Sequence, residues 1–241
     1  MRLSAPCKLR CATLVLAGAL SGCPVRTPPA PARPPAALPA PAPHLGAAYA
    51  IVPGQSQLLI FVYRGGALAS AGHNHLIASH DLGGTFYVPP DPLQASFEIT
   101  VPVTSLTVDE ESLRAAEHSS DFPPGVPDDA RTGTRTHMLG ADQLDGEHSP
   151  QILLRSVSLG PASPAAPDML LAQVQVSVRG GTHALALPVH YERSADTVVA
   201  SGEAEILQSE LGIAPYSAML GALQVQDQLR VKFRIQAQAA H

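Results

Sequence analysis

Leu229-Arg230-Val231-Lys232-Phe233-Arg234-Ile235 alternates apolar and cationic side chains without interruption. In an extended chain successive side chains point to opposite faces, so this stretch makes one apolar face and one charged face. The reading is a half-buried antiparallel strand. Working back along the 241 residues, the same period returns. Val174, Val176 and Val178 alternate with Gln173, Gln175 and Ser177. Leu185, Leu187, Val189 and Tyr191 follow. Earlier, Phe97, Ile99, Val101 and Val103 oppose Ser96, Glu98, Thr100 and Pro102. Leu58, Ile60 and Val62 alternate with Leu59, Phe61 and Tyr63, which makes that strand apolar on both faces. Arg179-Gly180-Gly181-Thr182 between two such runs predicts a tight hairpin turn.

Helical patterning is confined to Val108–His118, where Asp109 is placed to cap and the following acids suit the helix dipole. The stretch 119–135 is rich in Pro, Gly and Asp and predicts a long loop. Ser158–Pro167 reads as a second breaker-rich insertion. Several strands with one apolar face each require a sandwich or a closed barrel. An eight-stranded closure also leaves room for one small or elongated ligand.

The N-terminus has a different grammar. Arg2, Lys8 and Arg10 precede an apolar run, Ala12–Leu20, which is too short to span a bilayer as a helix. Leu20-Ser21-Gly22-Cys23 then resembles a bacterial lipobox. The expectation is a lipoprotein signal over 1–22, cleavage before Cys23, and lipid on Cys23. Cys7 and Cys11 would leave with the signal, so no thiol remains for a disulfide or a metal. Removing three basic residues would take the net charge from −5 to −8. An acidic surface without basic clusters argues against nucleic acid as a partner. The lipidated Cys23 and the Pro/Ala-rich residues up to 47 would form a polyproline spacer, with one domain over 48–241. Pro24, in place of Asp, favours the outer membrane, with the domain facing the periplasm.

The order of segments resembles the YceI-like, polyisoprenoid-binding family. Tyr49–Tyr63 resembles its opening strand, and Gly83-Gly84-Thr85-Phe86-Tyr87-Val88 its Gly-x-Phe segment. His137-Met138-Leu139, Gln143-Leu144-Asp145 and Ser149–Ser156 resemble its block leading to a Pro and an apolar strand. Leu211-Gly212-Ile213-Ala214-Pro215-Tyr216, Leu220–Leu223 and Val225-Gln226-Asp227 resemble its closing turns. The stretch Arg64–Asp81, with Gly72-His73-Asn74-His75, departs from the family pattern. The resemblance implies an all-β, lipocalin-like antiparallel barrel with one short flanking helix. It also implies an apolar interior for an isoprenoid or similar amphiphile, and no cofactor beyond that bound lipid.

From the alternation, the residues expected to face the interior are Leu58, Ile60, Val62, Phe86, Phe97, Ile99, Ile152, Leu154, Val174, Val176, Leu187, Val231 and Phe233. His73, His75 and His80 fall within a short stretch. On a strand His73 and His75 share a face, which suits metal binding, while His80 needs a turn to join them and Asp81 is placed to assist. The same histidines equally suit a ligand's polar head, or a solvated barrel mouth that His118 and His137 also approach. No Gly-x-Ser-x-Gly elbow is present. Ser119-Ser120-Asp121 beside His118 carries little weight, because triads are assembled across a fold. Glu110-Glu111 reads as a helix start, and Gly133-Thr134-Arg135 as a turn. The sequence therefore predicts a membrane-anchored carrier of an apolar lipid rather than an enzyme. The rivals are a metal protein or metalloenzyme built on His73, His75 and His80, and a structural lipoprotein with a filled core.

Overall fold

Alternating side chains become the two faces of one antiparallel sheet that curls until it closes. The computed structural model describes residues 38–163 and 166–239; Cys23, the expected signal segment and residues 23–37 of the expected spacer lie outside them. The strands are β1 (Ala47–Ile51), β2 (Gln57–Gly65), β3 (His75–Ser79), β4 (Gly83–Val88), β5 (Ser96–Pro102), β6 (Thr107–Val108), β7 (Gln151–Ser163), β8 (Ala166–Val178), β9 (Gly181–Arg193), β10 (Thr197–Leu207), β11 (Ser217–Ala218) and β12 (Leu223–Ala239). Two helices, α1 (Glu111–Ala116) and α2 (Asp128–Leu139), separate β6 from β7.

The ring runs β1-β4-β5-β7-β8-β9-β10-β12 and returns to β1, an eight-stranded antiparallel barrel. β12 is long enough to take two partners along one edge. Its end, Ala237–Ala239, pairs with β1, and its earlier part, Gln224–Arg234, pairs with β2. From β2 the sheet continues through β3 to β6, and α2 packs against β6. At that end of the barrel, a helix takes the place beside β6.

β2 is apolar on both faces because both faces are covered. Leu58, Ile60 and Val62 pack into the barrel core. Leu59 and Phe61 face outward into a second cluster with Leu76, Ala78 and Phe122. The Phe61 and Phe122 rings meet edge to face at 5.1 Å, and Phe122 meets Tyr63 at 5.4 Å. Burying such a ring is worth about 1.5–3 kcal/mol, so the segment carrying Phe122 is held by its own small core. Gly84 permits the β4–β5 approach. It has φ +125°, and a Cβ there would stand 2.0 Å from the Glu98 carbonyl oxygen. Arg179 and Gly180 form the β8–β9 turn with φ of +50° and +72°, as a two-residue hairpin of the primed type requires.

Three expectations are corrected. The Pro/Gly/Asp-rich stretch 119–135 is not one long loop, since α2 begins at Asp128. Pro127 stands at the N-cap, where its missing N–H costs nothing, and Asp128 and Asp129 sit in the first turn where the dipole favours them. Breaker residues that suggested a loop thus serve as a helix start, and among the described residues α2 joins the expected short helix α1. Ser158–Pro167 is not an insertion. Its described residues extend β7 and β8, and register shifts at Ser156/Ser158 and Pro161/Ser163 absorb the irregular residues as bulges. Asp109 does not cap α1. Glu110 holds that position, and Asp109 has φ +54° and turns its carboxylate inward.

Residues 38–46, the last part of the Pro/Ala-rich stretch before β1, lie against the barrel wall. The Ala42 amide donates to the Ser156 carbonyl at 2.8 Å, and the Ser96 hydroxyl donates to the Pro43 carbonyl at 2.9 Å. The His44 ring stacks on Tyr87 at 4.0 Å. A proline-rich chain makes no hydrogen bonds within itself, so its backbone groups are free to bond to a neighbouring strand.

Candidate functional site: an apolar cavity beneath the second helix

One end of the barrel is packed by Tyr49, Ile51, Val88, Val198, Ile235 and Ala237. Toward the other end a cavity of about 510 Å³ remains open. Its walls are Ile60 and Val62 of β2, Ile77 of β3, Ile152 of β7, Val176 and Val178 of β8 and Leu229 of β12. α2 contributes Ala130, Gly133, Thr134, His137 and Met138. Polar groups reach the same space from Arg64, His73, His75, Gln143, Gln208 and Tyr216. A smaller cavity of about 110 Å³ lies among Leu58, Phe86, Phe97, Ile99, Leu154, Leu187, Val231 and Phe233.

The expected interior residues therefore divide. Ile60, Val62, Ile152 and Val176 line the large cavity, and eight others line the small one. Val174 lines neither and is buried against Ala172, Val176 and Leu187. The barrel is not filled by its own side chains, which counts against the filled-core alternative.

The histidines also separate. β3 begins at His75, and its alternation sends His75 and Ile77 inward while Leu76 and Ala78 face outward. His75 Nδ1 lies 2.6 Å from Asp109 Oδ2, and its Nε2 lies 3.1 Å from the Thr134 hydroxyl. Asp109 Oδ1 accepts from the Leu76 amide at 2.8 Å and from Arg114 Nη1 at 2.5 Å. Arg114 is 2% exposed and also donates to the carbonyls of Asn74 and Pro123, at 2.9 and 2.8 Å. Burial pushes the Asp109 carboxyl up. Hydrogen bonds from His75 and the Leu76 amide, with the attraction of His75 and Arg114, outweigh burial and hold it below its usual range. An ionised Asp109 has no hydrogen to donate and only accepts, so His75 Nδ1 carries the hydrogen between them and the other ring nitrogen, Nε2, is the acceptor for the Thr134 hydroxyl.

His73 lines the same cavity, its ring 6.2 Å from that of His75. His80 does not. β3 ends at Ser79, and the turn into β4 takes His80 to Glu110, with Nε2 3.0 Å from Oε1. The three-histidine metal site is thus not assembled. Among the described residues no group of three His, Cys, Asp or Glu side chains is placed to hold a metal ion. His137 does reach the cavity, with the Tyr216 hydroxyl 3.4 Å from its Nε2. His118 is not among the cavity walls.

Sequence reasoning missed Thr134, Arg64, Asp109 and Arg114. Thr134 sits in a stretch read as loop, and Asp109 in one read as a cap. The unusual run Gly72–His75 and His137 were what pointed to this end of the barrel.

Solved structures with similar folds support the architecture. The crystal structure of Burkholderia cenocepacia BcnA is similar to this chain with a TM-score of 0.57 and 16% identity, over 78% of this chain and 99% of that one. A polyisoprenoid binding domain from Saccharophagus degradans, implicated in plant cell wall breakdown, is similar with a TM-score of 0.51 and 11% identity, over 80% of this chain and 99% of that one. At these identities the likeness concerns the fold. No curated protein sequence matches. The YceI-like domain pattern matches residues 49–237, from the first residues of β1 almost to the end of β12. The chain therefore belongs to the YceI-like domain family.

Proposed function

We propose that this protein holds the chain of an isoprenoid or similar apolar amphiphile in its barrel and keeps it out of water. The observation that carries this reading is the cavity of about 510 Å³, apolar over most of its wall, with a few polar side chains, among them His73, His75 and Thr134. A cavity of about 150 Å³ takes benzene, so this one has room for about 20 carbons, or roughly four isoprene units. Each buried methylene is worth about 0.8 kcal/mol, so aliphatic walls supply the affinity without any specific polar contact. The Saccharophagus degradans relative is a polyisoprenoid binding domain, which supports the same ligand class here.

The proposed setting is the cell envelope, with Cys23 carrying lipid and the barrel facing the periplasm. Beyond Tyr216, which lines the cavity, Met219 and Leu220 are exposed with φ of +51° and +56°. Apolar side chains held outward beside a cavity suit the uptake of ligand from a lipid surface. Two measurements test the reading. Native mass spectrometry of protein purified from its own host should show a retained lipid, and retained metal without lipid refutes the carrier. Cys23→Ser should leave the membrane fraction, and its persistence there after a high-salt wash refutes the anchor.

A further inference from the structure

We propose that Thr134, His75 and Asp109 form an acyl-transfer site in the cavity wall that cleaves carboxylic esters bearing an apolar chain. This rests on the cavity accepting such a chain. The three residues come from α2, from the start of β3 and from the segment between β6 and α1, and the pairing of β3 with β6 and the packing of α2 on β6 bring them together. The geometry is that of a nucleophile, a base and its orienting carboxylate. Thr134 Oγ1 lies 3.1 Å from His75 Nε2, and His75 Nδ1 lies 2.6 Å from Asp109 Oδ2.

Two further features accompany this geometry. Asp109 is a buried residue in left-handed backbone, and such strained positions cluster at functional sites. Arg114 and Asp109 form a fully buried ion pair, an arrangement that gains little stability over apolar packing. Against its burial, hydrogen bonds from His75 and the Leu76 amide do most to keep Asp109 ionised, and Arg114 adds to them and fixes the carboxylate, which sets the His75 tautomer and points the Thr134 hydrogen at Nε2. The oxygen lone pairs of Thr134 are then the nucleophile offered to a bound ester. Arg64 and His73 line the same cavity and are the donors available to a developing oxyanion.

The steps balance without a cofactor. Thr134 Oγ1 bonds to the ester carbonyl carbon while His75 Nε2 takes the hydroxyl proton. The carbon–oxygen bond to the alcohol breaks, and His75 returns the proton to that alcohol. Water, deprotonated by His75, then attacks the acyl-Thr134 carbonyl carbon. The carboxylic acid leaves and Thr134 regains its proton. Ester and water are consumed, and acid and alcohol are formed.

The test uses the full-length protein and p-nitrophenyl decanoate, with decanol as an unreactive companion ligand. Nitrophenolate release is followed, and peptide mapping locates any decanoyl adduct. Thr134→Val keeps the shape and removes the hydroxyl, so release should fall by about a hundredfold or more, as loss of an activated nucleophile predicts. Thr134→Ser should restore release and carry the adduct. Decanol should bind the wild type. Equal release by wild type and Thr134→Val, or an adduct elsewhere than on Thr134, overturns the acyl-transfer site. If decanol binds under those conditions the carrier reading stands, and if it does not, both fall.

Discussion

Val176→Phe should shorten the ligand the barrel can hold, not simply weaken binding. Val176 is 5% exposed, pairs with Leu154 across the β7–β8 ladder and lines the large cavity. Benzene occupies a site of about 150 Å³, so a phenyl ring replacing an isopropyl group removes roughly 100 Å³, or about a fifth of the available 510 Å³. That is space for about four carbons. At about 0.8 kcal/mol each, a ligand that fills the cavity loses about 3 kcal/mol, or about a hundredfold in Kd. A ligand with room to spare loses almost nothing. Because the new ring enters open space rather than packed core, folding should cost no more than about 1–3 kcal/mol. Competition of geraniol, farnesol and geranylgeraniol against a fluorescent alkyl probe measures the effect. Geranylgeraniol should lose affinity and geraniol should keep it. Equal losses along the series, or none at all, refute the assignment of this cavity to the ligand chain.

Asp109→Asn should cost about 3–5 kcal/mol in urea unfolding, because it leaves the Arg114 guanidinium buried without its counter-charge; a cost below 1 kcal/mol shows that the pair is not needed. The same carboxyl sets an acid limb. Its pKa is held below the ordinary 3.8, so its ionised form stabilises the fold above that pH, and the contribution is lost as pH falls from 3.8 through the folded-state value. Wild type should therefore lose stability more steeply below 3.8 than Asp109→Asn does, and parallel slopes contradict the assignment. Phe122→Ala should destabilise by about 3–5 kcal/mol while leaving ligand affinity unchanged, since Phe122 packs outside the barrel wall on Phe61 and Tyr63. A fall in affinity as large as the fall in stability shows that the outer cluster and the cavity are coupled.

Some of this architecture was written locally, and some was not. The hairpin at Arg179-Gly180 and the inward faces of β2, β8 and β12 follow from period and turn chemistry within a few residues. The helix over 128–139 was hidden because Gly133 and the preceding prolines carry loop-like propensities, which packing of α2 against β6 overrides. The strands through 158–163 were hidden for a related reason. Gly160 and Pro161 are tolerated where the ladder already shifts register.

By itself the sequence determined an all-β chain, which face of most strands is apolar, and that β2 is covered on both sides. Those are properties of neighbours a few residues apart, and alternation records them directly. The tertiary structure alone decided that β12 would pair with both β1 and β2, that α2 would pack beside β6, and that a cavity would remain beneath it. It alone separated His80 from His73 and His75, and joined His75 to Asp109 and Thr134, 34 and 59 residues away in the chain. Such contacts form when β3 pairs with β6 and α2 packs on β6. Their energy depends on distances between residues that share no local pattern, so no reading of period or spacing contains them.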